Sequence, residues 1–151
     1  MGTRHRGPAD EVRALDLFIK LMRAADSVAT RVHRAVADVA LTVSQFGVLE
    51  AVFHLGPMCQ KELGTKLLKS GGNITMVVDN LEKRGLVRRK RNPENRKYVT
   101  VSLTDAGRKL IETVFPRHVA EVVRDLSVLT PDEQTTLAAL LRTLGRGRAQ
   151  P

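Results

Sequence analysis

The sequence predicts a mainly α-helical protein carrying one small β-hairpin. Three observations predict it. Apolar residues recur every three or four positions along most of the chain. The period falls to two only once, between Leu86 and Leu103. Charge is concentrated at that same place: residues 83–97, KRGLVRRKRNPENRK, hold eight basic residues against one acid, +7 of a formal net charge of +9.

The elements follow in order. From Leu15 the apolar positions Phe18, Met22, Ala25, Ala29, Val32, Val36 and Val39 step alternately by three and four. That is a heptad seam on one long helix, with Asp10 as its N-cap after Pro8. Thr42 or Ser44 caps a second helix, and Gly56-Pro57 ends it. A short helix is expected over Cys59–Leu68, with Leu63 and Leu67 inward. Ser70-Gly71-Gly72-Asn73 then breaks and restarts the chain. The next helix runs from about Asn73 to Arg84, with Ile74, Val77, Val78 and Leu81 inward and Asn73, Thr75, Met76, Asp79, Asn80 and Lys83 more outward. Gly85 stops it.

Leu86–Arg91 and Val99–Leu103 then read as two strands joined by the turn residues Asn92-Pro93-Glu94-Asn95. Thr104-Asp105-Ala106-Gly107 opens a helix that Pro116 should kink. Thr130-Pro131-Asp132-Glu133 is a capping box with proline at the first helical position, and Gly145 is expected to close that last helix.

A chain of 151 residues with 42% hydrophobic content favours one globular domain. The lone cysteine, Cys59, excludes an internal disulfide framework and suits a reducing compartment. No apolar run approaches the roughly 18 residues of a membrane span. The opening MGTRHRGPADE is polar and carries acids early, unlike a secretory signal. Arg6 stands where a myristoylation pattern wants Ser or Thr. The expectation is a soluble cytoplasmic protein, with no membrane partner, whose basic surface meets a polyanion, nucleic acid first. No HxxH or CxxC spacing suggests a metal site. No nucleophile–base or paired-carboxylate constellation can be assembled, so the expectation is a non-enzyme without cofactor.

Three short helices followed by a basic hairpin make a winged helix-turn-helix. The helix after the turn fits the major groove of double-stranded DNA. The hairpin lies along the backbone, and an Arg at its tip suits the negative potential of a narrow minor groove. The long helices at the chain ends supply a homodimer interface. The segments run as residues 1–40 for the first dimerisation helix, 41–103 for the DNA-binding region and 104–151 for the last helices, within one compact domain.

LTVSQFGVLEAV, KELGTKLLKSGGNITMVVDNLEKRGLVRR and RNPENRKYVTVSLTDAG resemble a MarR-type transcriptional regulator, over about Asp10 to Gly145. The most specific pieces are NLEKRGLV and VSLTDAG. The resemblance implies a six-helix winged-helix homodimer, usually a repressor. Many members release DNA when a small phenolic or lipophilic effector binds, or when a cysteine is oxidised. It makes the helix from Asn73 the recognition helix and Arg88–Val101 the wing. Two positions depart from the family pattern. Met76 stands where many members carry Arg, and Asn95-Arg96-Lys97 stands where the wing usually carries Asp-Arg-Arg. SGGNIT and IETVFPRH resemble a branch that includes regulators responding to quinone-like compounds.

The candidate DNA contacts are Arg96 first, then Arg88, Arg89, Lys90 and Arg91, of which only about half can face phosphate at once on a strand. Asn95 and Lys97 flank the tip. Ser70, Asn73, Thr75 and Met76 start the reading helix, where short polar residues also serve as caps. Lys61, Thr65 and Lys66 can touch backbone. His33, Phe46, Phe53 and His54, with His118, are candidates for an effector pocket. Cys59 is the candidate redox residue. The rival reading is a nonspecific architectural nucleic-acid binder.

Overall fold

The computed structural model describes residues 2–67, 71–95 and 97–147. The elements are α1 (Ala9–Val32), α2 (Arg34–Ala37), α3 (Val43–Leu55), β1 (Met58–Cys59), α4 (Gln60–Lys66), α5 (Gly71–Lys83), β2 (Val87–Arg91), β3 (Val99–Leu103), α6 (Asp105–Leu126) and α7 (Pro131–Arg146). This is a mainly helical winged-helix fold with a small antiparallel sheet. The chain divides into two compact units, His33–Val119 and Met1–Val32 with Ala120–Pro151. Among the described residues no helix is long and apolar enough to cross a membrane.

The His33–Val119 unit holds the core. Phe46, Val48, Leu49 and Val52 of α3 are buried with Leu63 of α4, Ile74, Val77, Val78 and Leu81 of α5, and Ile111 and Val114 of α6. Val87 and Val101 close the cluster from the sheet. Each such side chain stabilises the unit by roughly 1.5–3 kcal/mol relative to exposure. Helices α3 and α7 begin at their expected caps, whereas α1 starts at Ala9, one residue before its expected cap Asp10, and α5 at Gly71, two residues before Asn73. Thr42 Oγ1 accepts from the Gln45 N–H at 3.1 Å, and Gln45 Oε1 accepts from the Thr42 N–H at 3.0 Å. Thr130 and Glu133 repeat this reciprocal box on α7.

The two hairpin strands pair as their alternation predicts, with Val87 opposite Leu103, Arg89 opposite Val101 and Arg91 opposite Val99. The sheet has a third strand that the sequence does not suggest. Met58 and Cys59 pair with Val101 and Thr100, giving the order β1-β3-β2. Two residues are too few to carry a period, so nothing in the pattern marks them. The expected helix from Cys59 accordingly starts one residue later. Its expected end, Leu68, lies outside the described residues.

The long first helix is also corrected. It breaks at His33, whose φ and ψ are −93° and 11°, and resumes as the four-residue α2. The stripe changes environment there. Phe18 and Met22 are exposed, whereas Ala35 and Val36 are buried in the core. A one-residue break leaves the apolar phase almost unchanged, so periodicity cannot reveal it. The turn after α2 is a Schellman pairing: the Leu41 N–H donates to Val36 O at 3.2 Å and the Ala40 N–H to Ala37 O at 2.9 Å. Ala40 sits in the left-handed region at φ 54°, where glycine is the usual residue. The last helix runs past Gly145 to Arg146. Gly147, at φ 63°, caps it by donating to Leu144 O.

The Met1–Val32 with Ala120–Pro151 unit differs in kind. Among the described residues its only buried apolar side chain is Val32. Arg31 and Ser27 hydrogen-bond on α1, and the Arg31 guanidinium forms a two-pronged ion pair with Asp125. Ten of the fifteen exposed large apolar side chains described in the chain belong to this unit. Most lie on α1 and α7, and α7 buries none of its residues.

Candidate nucleic-acid interface

Helix α5 shows its polarity clearly. Ile74, Val77, Val78 and Leu81 are 7% exposed or less and face the core. Asn73, Met76, Asn80 and Lys83 step by three, four and three, share the opposite face, and are all exposed. Met76 is the apolar member of that outward stripe, at 57% exposure. Thr75 is tied sideways to the preceding helix, where the Gln60 side-chain amide donates to its Oγ1 at 2.9 Å. Gln60 was not legible as a site residue, since a Gln near a helix start has many uses.

The wing is fixed to this helix by one arginine. Glu82 Oε1 accepts from the Arg89 N–H at 2.9 Å, and Glu82 Oε2 accepts from Arg89 Nε at 2.9 Å and from its terminal nitrogen at 2.7 Å. Asp79 adds an ion pair to the same guanidinium at 2.6 Å. Arg89 is therefore committed to two carboxylates one helical turn apart, with Val101 as its strand partner. Arg84 is committed too, donating to Ala40 O at 2.8 Å and Val39 O at 3.3 Å. It holds the carbonyls of the strained left-handed turn. Two of the eight clustered cations are thus struts inside the unit. Lys83, Arg88, Lys90, Arg91 and Lys97 are exposed. Arg88 and Lys90 share one strand face opposite Ser102 and Thr100.

The hairpin tip is stitched by asparagines. Asn92 Oδ1 accepts from the Glu94 N–H at 2.9 Å, and Asn95 Oδ1 accepts from the Lys97 N–H at 3.2 Å. These are Asx turns. The Asn95 carbonyl oxygen of the side chain is thereby used on the backbone of Lys97. Ser70 and Arg96, both named from the sequence, lie outside the described residues.

The Arg89 guanidinium, and then the Arg89 N–H, hold the Glu82 carboxyl below its ordinary value of 4.5, against a smaller opposing effect of burial. Arg89 is raised by the same partner. Because the folded pKa of Glu82 is the lower one, its stabilisation is complete above that ordinary value and is lost as pH falls through the folded value. The pair is partly exposed, at 27% and 37% of side-chain area, so water screens it to about 1 kcal/mol. Glu82→Gln should cost about that much at neutral pH and flatten the acid limb of the stability–pH curve. Denaturant titrations of both proteins across that range check it. An unchanged acid limb would show that other carboxylates set it.

The rings named as effector candidates fall in two groups. His33 stacks on His118 at 5.5 Å, and Phe46 tilts against His118 at 4.8 Å. Phe53 meets His54 at 5.0 Å, His54 meets Phe115 at 4.6 Å, and the Arg108 guanidinium lies over Phe53 at 5.7 Å. His118 and Phe115, the second not among the candidates named from the sequence, come from α6. Cys59 is half-buried at the start of α4, and its N–H donates to Glu62 at 3.1 Å. It lines an open cleft of about 400 Å³ with Gln60, Lys61, Thr65, Thr75 and Lys97. The described residues gather no group of three or more His, Cys, Asp or Glu that could hold a metal ion.

Comparison with known proteins gives a consistent result. A sequence profile of the MarR family matches residues 41–99. YkoM, an HTH-type transcriptional regulator of Bacillus subtilis, is 34% identical over 133 residues, which are 88% of this chain and 86% of that protein. MhqR, a second HTH-type transcriptional regulator of B. subtilis, is 33% identical over 138 residues, 91% of this chain and 95% of that one. The crystal structure of a mutant MarR from E. coli complexed with operator DNA has the same fold. Its TM-score is 0.72 at 28% identity, over 84% of this chain and 94% of that one.

Proposed function

This chain belongs to the MarR family of transcriptional regulators, and from that premise we propose that it is a repressor binding a pseudo-palindromic operator as a homodimer. One observation carries the reading. The exposed stripe of α5 and the exposed cations of β2 are held in fixed relation by the Arg89 bridge to Glu82 and Asp79. A helix face for the major groove and a cationic strand for the backbone are thereby presented as one body.

The second half of the reading is the partner. A unit that buries only Val32 among its described apolar side chains, while exposing faces of α1 and α7, suits a second copy of itself. Two copies related by a two-fold axis then meet half-sites about 10 base pairs apart. Release by a small lipophilic or phenolic effector is supported by the ring groups on α3 and α6. Oxidation of Cys59 is a second route, because a group added to its sulfur would enter the cleft that Thr75 of α5 also lines.

Selection of bound sequences from random duplex tests the proposal. A symmetric motif, and weak competition by scrambled duplex at the same salt, are the expected results. Equal competition would leave counterion release alone and favour an architectural binder. Arg96 is the leading minor-groove candidate on its sequence position. Arg96→Ala should weaken binding to the selected duplex by about tenfold or more, since two copies lose the contact, and leave Tm within a few degrees. A matching fall in Tm would mark it as a structural residue instead.

A further inference from the structure

We propose that Met76 reads the C5-methyl group of one thymine in each half-site. The inference rests on the operator reading above and names the base feature that α5 recognises. It comes from which side chains the helix has left to offer. Thr75 Oγ1 already accepts from Gln60, and Asp79 is paired with Arg89. Asp79 would also be repelled by phosphate. Of the outward stripe, Met76, Asn80 and Lys83 follow Asn73, which has an interaction of its own, and Met76 is more than half exposed beside Asn80.

An exposed methionine makes no contribution to phosphate binding and donates no hydrogen bond to a base edge. The major groove offers one apolar feature, the thymine methyl. An unbranched, flexible thioether side chain is well suited to cover it. The flanking Asn80 adds a chemistry of the same kind, since asparagine pairs with the adenine edge in that groove. The outward face of α5 therefore favours A·T pairs under its middle turn. A basic side chain at this position would instead favour guanine or phosphate.

The experiment uses the full chain, the Met76→Ala variant and the duplex recovered by selection from random sequence. Each symmetric pair of thymines is replaced in turn by deoxyuridine, which removes only the methyl group. One pair is expected to weaken binding of the unaltered protein by about tenfold, from two lost methyl contacts. Met76→Ala is expected to bind the thymine and deoxyuridine duplexes within about twofold of each other, with Tm unchanged because the side chain is exposed. The inference is overturned if no thymine pair is methyl-sensitive, or if Met76→Ala stays equally sensitive. Recovery of no sequence motif at all overturns the operator reading itself. A motif with no methyl dependence overturns only the role of Met76.

Discussion

Glutamate at both Leu140 and Leu144 should make the protein monomeric and lower its affinity for a two-half-site duplex by a hundredfold or more. Both leucines are more than half exposed on α7, at 63% and 53%, so the single chain loses little packing when they change. They lie one helical turn apart, which puts both charges on one face. Burying two carboxylates per subunit in an apolar seam costs several kcal/mol each unless they find partners. Once the seam opens, the second half-site is no longer engaged at high local concentration, and avidity of about 10²–10⁴ is forfeited. Sedimentation equilibrium gives the mass, and far-UV circular dichroism shows that helix content survives. A dimer of unchanged strength would exclude the α7 face from the interface.

Alanine at Gly107 should destabilise the fold by about 3 kcal/mol and lower Tm by about 10 °C. The first turn of α6 lies directly on the start of the wing. Thr104 donates its N–H to Leu86 O at 3.1 Å and its hydroxyl to Gly85 O, and its Oγ1 accepts from the Gly107 N–H at 3.0 Å. A Cβ on Gly107 would overlap the carbonyl oxygen of Leu86 and come within 2.9 Å of its carbonyl carbon. Backbone rather than a flexible side chain stands in the way, so either α6 or β2 must move. Since β2 carries the wing cations, DNA affinity should fall with stability. Gly145→Ala is the control. It sits inside α7 with nothing within 4 Å, so it should be neutral or stabilise by up to about 1 kcal/mol. Thermal melts of the two variants side by side decide the matter, and an undisturbed Gly107→Ala would mean the close approach is wrong.

Local chemistry was legible in the sequence, and partnerships across the chain were not. A cap at Thr42 or Ser44, the capping box at Thr130, the stop at Gly85 and the alternation of Val99–Leu103 all involve neighbours within a few positions, and the structure chooses Thr42. The break at His33 and the two-residue β1 escaped because each is shorter than the period needed to see it. The wing cations show the same limit differently. Strand alternation divides the basic run into two faces but does not say which cations are bound within the fold, and Arg84 reaches carbonyls at Val39 and Ala40, more than forty positions away. Arg89 had a nearer signal. Asp79 and Glu82 are spaced by three on the helix before Gly85, and a strand folding back from that turn must pass them. The outward stripe of Asn73, Met76, Asn80 and Lys83 was visible in the three–four spacing, but its significance depends on knowing that Thr75 and Asp79 are already engaged.

The most direct measurement is the mass and symmetry of the protein–DNA complex formed on a selected duplex, by light scattering after size exclusion. Two chains on one symmetric duplex are expected, with binding lost when one half-site is inverted or moved by half a helical turn, about 5 base pairs. One chain per duplex, or indifference to the half-site spacing, would contradict the account.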